Sequence, residues 1–146
     1  MRSRLISTIF SNPYDSMLND FDITDIEKVF ADTIRDLGVS DHVWNNRPKV
    51  VDDSINDFAV VKVSGGVSDK NAFGQCRVAL YLFARDVREM KNSARLSYMQ
   101  KALTDGMPMR VGKYIADHTP RYVGDTADDF GFHVRIITFS VIIKSA

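Results

Sequence analysis

At 146 residues the chain has the size of one domain, long enough to bury about two thirds of its unfolded surface without covalent staples. Nineteen basic residues balance nineteen acidic ones, so no global field draws the protein to nucleic acid or an anionic membrane. The single cysteine, Cys76, excludes an intramolecular disulfide and a CxxC metal framework, and it fits a reducing compartment.

The N-terminal segment opens Met-Arg-Ser-Arg and continues with Leu5, Ile6, Ile9 and Phe10, which briefly resembles a secretion signal. Ser7 and Thr8 interrupt the apolar stretch and Ser11-Asn12-Pro13 ends it, too early for a signal-peptide core. Secretion is therefore not expected, and no window approaches the roughly 20 apolar residues of a membrane span. Tyr14, Met17, Leu18 and Phe21 keep residues 1–21 too apolar for a solvated tail. They are read as an arm lying on this domain or on a neighbour, or as a short helix capping the domain's own core. Residues 22–146 are read as a single α+β domain.

Thr24 and Glu27 have the spacing of a capping box, and Ile26, Val29, Phe30, Ile34 and Leu37 then recur at helical period. Gly38 supplies a left-handed stop. Glu27, Lys28, Asp32, Arg35 and Asp36 form the face expected in water. A turn-rich stretch around Trp44 and Pro48 leads to a short extended piece at Val50 and Val51, then to a β-run over residues 58–63. Ser64-Gly65-Gly66 opens a polar loop closing at Gly74, and residues 75–85 form a second long strand. Cys76, Val78, Leu80 and Leu82 share one side of it; Arg77, Ala79, Tyr81, Phe83 and Arg85 share the other. The two runs read as a hairpin whose connection, about ten residues, has the length of a mobile or binding loop.

Asn92 is the N-cap expected for a second helix carrying Leu96, Met99 and Leu103 on one stripe, with Ala94 and Ala102 allowing close approach to a sheet. Gly106 and Pro108 end it. Residues 109–131 are read as one or two short strands and an exposed loop holding Asp125, Asp128 and Asp129. The last strand, residues 132–143, is apolar on both faces, so both faces must be covered. A helix layer can cover one, and a neighbouring subunit is the simplest cover for the other.

Signs of chemistry are weak. His42, His118 and His133 lack metal-ligand spacing, and Gly65-Gly66 precedes no helix that would cradle phosphate. Asp52-Asp53 and the later aspartates have the types needed for acid-base work or a divalent cation, but acids among glycines fit solvated turns better. No G-x-S-x-G elbow occurs, and Cys76 in an apolar strand acts as a small hydrophobe. Lys62, Arg77, Arg85, Arg88 and Lys91, beside Tyr81 and Phe83, would make a single-strand binding face if they gathered at one end of the hairpin, but no RNP-type pattern or basic excess accompanies them.

Three stretches carry a resemblance: Thr24-Asp25-Ile26-Glu27-Lys28-Val29-Phe30, the strand Gln75-Cys76-Arg77-Val78-Ala79-Leu80-Tyr81-Leu82-Phe83-Ala84-Arg85 leading to the second helix, and Phe132-His133-Val134-Arg135-Ile136-Ile137-Thr138-Phe139-Ser140-Val141. Their order over residues 24–144 resembles the tail-terminator and head-to-tail connector proteins of tailed bacteriophages. That resemblance implies an α+β fold, with a small antiparallel or mixed sheet packed on two helices. It also implies a structural virion protein of the tail or neck, assembled in the host cytoplasm, with no enzymatic activity, catalytic residue, metal or cofactor. The implied partners are copies of the same chain in a ring, hexamer favoured and dodecamer allowed, and other neck, portal or tail proteins. The resemblance implies DNA only as cargo through the ring lumen, and no membrane partner. The subunit or partner interface is expected at Ile137, Phe139, Val141 and Ile143, at Tyr81 and Phe83, at Gly65 and Gly66, and at Phe10 and Tyr14 of the arm. The competing class is a small-ligand-binding module or modest enzyme holding its ligand between sheet and helix with Tyr81, His133 and Arg135.

Overall fold

A computed structural model of the chain describes residues 22–64, 68–70 and 73–144. The arm with Phe10 and Tyr14, and the glycines Gly65 and Gly66, lie outside the described residues. The first helix, α1 (Ile23–Asp36), is capped by Asp22, whose carboxylate accepts the Thr24 N–H at 2.9 Å. With Asp22 in that role the expected Thr24–Glu27 box does not form. Glu27 turns inward beside Ile26 and is 6% exposed, which corrects its assignment to the solvated face. Its Oε2 accepts the Val63 N–H at 2.9 Å, giving an acceptor to a sheet amide. Lys28, Asp32, Arg35 and Asp36 are exposed as expected, and Gly38 leaves the helix at φ +85°.

The first strand is β1 (Val43–Trp44), parallel to β2 (Asp57–Val63). The extended piece expected at Val50 and Val51 is irregular instead, and Val50 is 84% exposed. β2 pairs antiparallel with β4 (Phe73–Arg85) from Asp57 opposite Ala84 to Val63 opposite Val78, as the hairpin reading requires. Part of the expected loop is itself a strand, β3 (Ser68–Lys70), which folds onto the start of β4. The second helix, α2 (Ser93–Asp105), begins at the Asn92 cap and ends at Gly106. Ala102 is half-buried beside the core, whereas Ala94 is exposed.

Residues 109–131 are more ordered than their glycines and acids imply. They form β5 (Met109–Val111), β6 (Tyr114–Ala116) and β7 (Arg121–Ala127). The last strand, β8 (Phe132–Lys144), runs antiparallel to the whole of β4, from Phe132 opposite Arg85 to Lys144 opposite Phe73. Its other edge is shared, β7 pairing with its first half and β6 with its last residues. The chain is thus α+β, a mixed eight-stranded sheet ordered β1-β2-β4-β8-β6-β5, with β3 on β4 and β7 on β8.

Both helices cover one face. Ile26, Phe30 and Ile34 of α1 and Leu96, Met99 and Leu103 of α2 meet Val61, Val78, Leu80, Leu82, Ile137, Phe139, Val141 and Ile143 of the sheet. Each large apolar side chain so buried contributes about 1.5–3 kcal/mol. On the opposite face a smaller cluster joins Phe58, Val60, Phe83, Phe132 and Val134, with Trp44, Val51 and Ile55 of the 44–55 segment packed over it. The two apolar faces of β8 are therefore covered at different places along its length. Phe132 and Val134 pack in the smaller cluster, and the odd-numbered residues from Ile137 onward pack under the helices. On the face away from the helices this cover reaches only the Phe132 end, and Ile142 is half-buried. Loss of the Glu27 acceptor tests the helix-to-sheet link. Glu27→Ala is expected to lower stability in urea denaturation by about 1–3 kcal/mol, because the Val63 amide loses its partner. Glu27→Gln keeps an oxygen there and is expected to recover most of that loss, whereas equal losses would place the role of Glu27 in its charge.

Candidate functional site

Charged groups fasten α2 to the sheet. Arg135 of β8 grips Asp125 of β7 with two parallel bonds, Nε to Oδ1 and Nη2 to Oδ2, each 2.9 Å. Its remaining nitrogen donates to Gln100 Oε1 at 3.0 Å and Ser97 Oγ at 3.3 Å on α2, while Lys91 Nζ reaches Asp125 Oδ2 at 2.9 Å. The two side chains are only 12% and 11% exposed. The Arg135 hydrogen bonds hold the Asp125 carboxyl well below the usual carboxylate range, outweighing burial, and the same pairing pushes the Arg135 guanidinium up. Arg95 pairs with Asp57 at 2.8 Å and His133 Nδ1 with Asp86 Oδ1 at 2.7 Å. Every one of these carboxylates is held by the chain's own donors, so the geometry is that of a clamp.

The aspartates expected in solvated turns thus divide. Asp125 lies in a strand, and Asp128 accepts the Phe130 and Phe132 amides at 2.8 and 3.1 Å and Arg47 at 2.8 Å. Burial alone would raise the Asp128 carboxyl, but those hydrogen bonds bring it below its ordinary value. Asp129 is exposed as expected.

The constellation weighed for ligand binding does not converge. Arg135 pairs with Leu82 and His133 with Ala84, whereas Tyr81 pairs with Ile136, so Tyr81 projects from the opposite face. The basic residues of the hairpin also separate. Lys62 and Arg77 lie toward the β3 end, and Arg85, Arg88 and Lys91 lie toward the other, roughly 25 Å away along β4. Burial pushes the Cys76 thiol up to about 11, which leaves little thiolate at neutral pH. Among the described residues no group of three or more His, Cys, Asp or Glu side chains is placed to hold a metal ion, and no helix is long and apolar enough to cross a membrane.

Of the residues expected at an interface, Ile137, Phe139, Val141 and Ile143 are at most 2% exposed and belong to the core under the helices. Within this subunit they are covered by its own two helices. Phe83 stacks on Phe58 with ring centroids 4.3 Å apart, and Tyr81 is half-buried at the margin of the same cluster. The large apolar side chains that do reach solvent are others: Tyr122 and Val123 on β7, Val50, Val87, Met90 and Phe130 toward the Arg85 end of the sheet, and Ile23 and Tyr98 on the two helices. Sequence gave little sign of them, because β7 lies in a glycine- and aspartate-bearing stretch. Val87 and Met90 flank a tight turn whose central residues Arg88 and Glu89 have φ 53° and 64°. Both sit in the left-handed region usual for Asn-Gly hairpins, at a cost of about 1–3 kcal/mol each for such side chains.

A cleft opens beside the smaller cluster, with a cavity volume of about 260 Å³. The Arg47 guanidinium lies 5.8, 5.5 and 5.1 Å from the ring centres of Phe58, Phe83 and Phe130, and that of Arg85 lies 4.4 Å from Phe132. A wider depression of about 580 Å³ between the helices is lined by Leu37, Tyr98, Lys101, Ala102, Asp105 and Gly106. Its charged pair, Lys101 with Asp105, is an ordinary neighbour pair on a helix surface.

No family model and no curated protein matches the chain. Solved structures do match. One chain, known by a serial designation that describes no activity, superposes with a TM-score of 0.54 at 13% identity, over 83% of this chain and 92% of its own length. At that identity the likeness concerns the fold alone.

The clamp is testable by pH. Asp125→Ala leaves Arg135 buried without its counter-charge and is expected to cost about 3 kcal/mol at pH 7. Because the Asp125 carboxyl titrates lower in the folded chain than in the unfolded one, its contribution is fully present above about pH 4 and is lost as pH falls further. Denaturation at pH 7 and at pH 3 should show a gap between wild type and variant that narrows in acid; a gap independent of pH would contradict the assignment.

Proposed function

We propose that this chain is a structural subunit that assembles with copies of itself into a closed ring, in the manner of the tail-terminator and connector proteins that its element order resembles. The observation that carries this reading is β7. Among the described residues β7 pairs only with β8, and its outer edge presents unpaired amides and carbonyls beside the exposed side chains of Tyr122 and Val123. Such an edge is a template for another chain. A second, dissimilar apolar group, Val87, Met90 and Phe130, lies at the Arg85 end of the sheet, the end toward which β7 runs. Head-to-tail contacts need two different patches on one subunit, and a rotation that closes them makes a ring.

In this role the clamp around Arg135 keeps β7 and α2 fixed relative to the core, so that the edge meets its neighbour without first being ordered. The setting proposed is the tail or neck of a tailed phage, with DNA passing through the lumen. The first test is mass in solution. Light scattering of the purified full chain is expected to give one symmetric oligomer at micromolar concentration. Val123→Asp, at a position 57% exposed, is expected to keep the fold but raise the dissociation concentration about tenfold or more, equivalent to roughly 1.4 kcal/mol. A wild-type chain that stays monomeric at every concentration would overturn the reading.

A further inference from the structure

Charge is distributed unevenly over the two faces of the sheet. Opposed residues of an antiparallel ladder project to the same side, so the even-numbered residues of β8, which carry Phe132 and Val134 into the smaller cluster, mark the face away from the helices. Beyond that cluster, toward the Phe73 end, this face holds Arg77 opposite Ser140, Arg121 opposite Thr138, Arg110 opposite Ile115, and Lys144 near the end of β8. Ile115 in turn stands opposite Ile142. All four cations are exposed, and none of their side chains has an ion-pair or hydrogen-bond partner among the described residues. Lys62 shares the face but is held by Asn45 and Asn46. No acidic residue occupies a strand position on this side among the described residues. The two acids nearest Arg121 in sequence are engaged elsewhere, Asp125 with Arg135 on the helix side and Asp117, between β6 and β7, with His118 at 3.7 Å. The chain is neutral overall, so four unanswered cations on one face are a local excess that composition hides.

Strand spacing puts neighbouring members of the set about 12–14 Å apart, over a patch about 20 Å long. Between them stand Ala79, Thr138 and Ser140, small side chains that leave the surface flat and, in the two hydroxyls, add donors for an anion. No two of the cations converge, so the layout does not suit a point anion. It suits a polyanion of regular charge. A nucleic-acid duplex carries one negative charge per about 1.7 Å of axis, so a stretch of about 20 Å carries about twelve phosphates and each cation meets one without exact register. None of the exposed large apolar side chains lies on the patch, which therefore has no wedge for a bilayer and no ring on which unpaired bases stack. We propose that the sheet face bearing Arg77, Arg110, Arg121 and Lys144 holds the phosphate backbone of double-stranded DNA without reading its sequence. The choice of DNA over RNA rests on the reading of the chain as a ring through which DNA passes; the contact itself needs no assembly, and in a ring this face turns to the lumen.

Fluorescence anisotropy of the full-length chain with labelled duplexes of two unrelated sequences tests this. Both should bind alike at about 50 mM salt and weaken about a hundredfold or more by about 200 mM, since four neutralised phosphates give a logarithmic slope of about −3.6. Arg77→Gln combined with Lys144→Gln removes two of the four cations and should halve the slope, whatever number of subunits face the duplex. Lys28→Gln combined with Lys101→Gln removes as many exposed cations from the helix side and should change neither affinity nor slope. Light scattering of each variant should give the wild-type mass, which separates loss of binding from loss of assembly. Four results would each overturn the assignment while leaving the ring reading intact: no binding at low salt, a wild-type slope in the sheet-face variant, an equal loss in the helix-side variant, or equal affinity for polyglutamate of matched charge. DNA binding by a chain that stays monomeric would overturn the ring reading alone.

Discussion

The antiparallel ladder between β4 and β8 is the constraint on which the rest of the structure depends. It joins Phe73–Arg85 to Phe132–Lys144 without a break, and every other strand except β1 and β5 pairs with one of the two. Its register decides which side chains face the helices. Leu80 stands opposite Ile137 and Val78 opposite Phe139, so both belong to the core beneath α1 and α2; Phe83 opposite Val134 belongs to the smaller cluster on the other face. A slip of one residue would exchange these sets and place His133 and Arg135 in the aromatic cluster. Because the two strands are far apart in sequence, their pairing also fixes an entropically expensive closure on which α2, β5, β6 and β7 depend.

Charge placement follows from that register. Arg135 lies on the helix side of β8, beside Asp125 of the neighbouring strand and beneath Gln100 and Ser97 of α2, which turns a buried cation into a fixed joint. A buried pair of this kind adds little net stability against an apolar replacement, but breaking it is costly, so it specifies geometry more than it stabilises. The same ladder leaves β7 outermost along the first half of β8, and most of the large apolar side chains that remain exposed lie there and at the Arg85 end. A ring of the kind proposed would use such edges and ends.

Elements that depend on local pattern were legible in the sequence. The stripe of Ile26, Phe30 and Ile34, the Asn92 cap, the alternation of residues 75–85 and the interior position of the last strand all follow from period and capping chemistry. What was not legible depended on contacts distant in sequence. Glu27 has capping-box spacing, yet it serves an amide of β2 because Asp22 already caps the helix. Residues 121–127 carry glycine and aspartate and look like a loop, yet β8 supplies a ladder that orders them. Pairing of the two long strands brings Tyr81 level with Arg135, but parity of register puts them on opposite faces. The doubly apolar last strand calls for cover on two sides; that the 44–55 segment supplies it at the Phe132 end is a long-range fact no periodicity encodes.

The most direct measurement of the central claim is an electron-microscopic reconstruction of the purified full-length chain. Closed rings of a single size, with β7 at the boundary between adjacent subunits and a lumen on the symmetry axis, are expected. Isolated single domains, open filaments, or rings in which the outer edge of β7 faces solvent would contradict it.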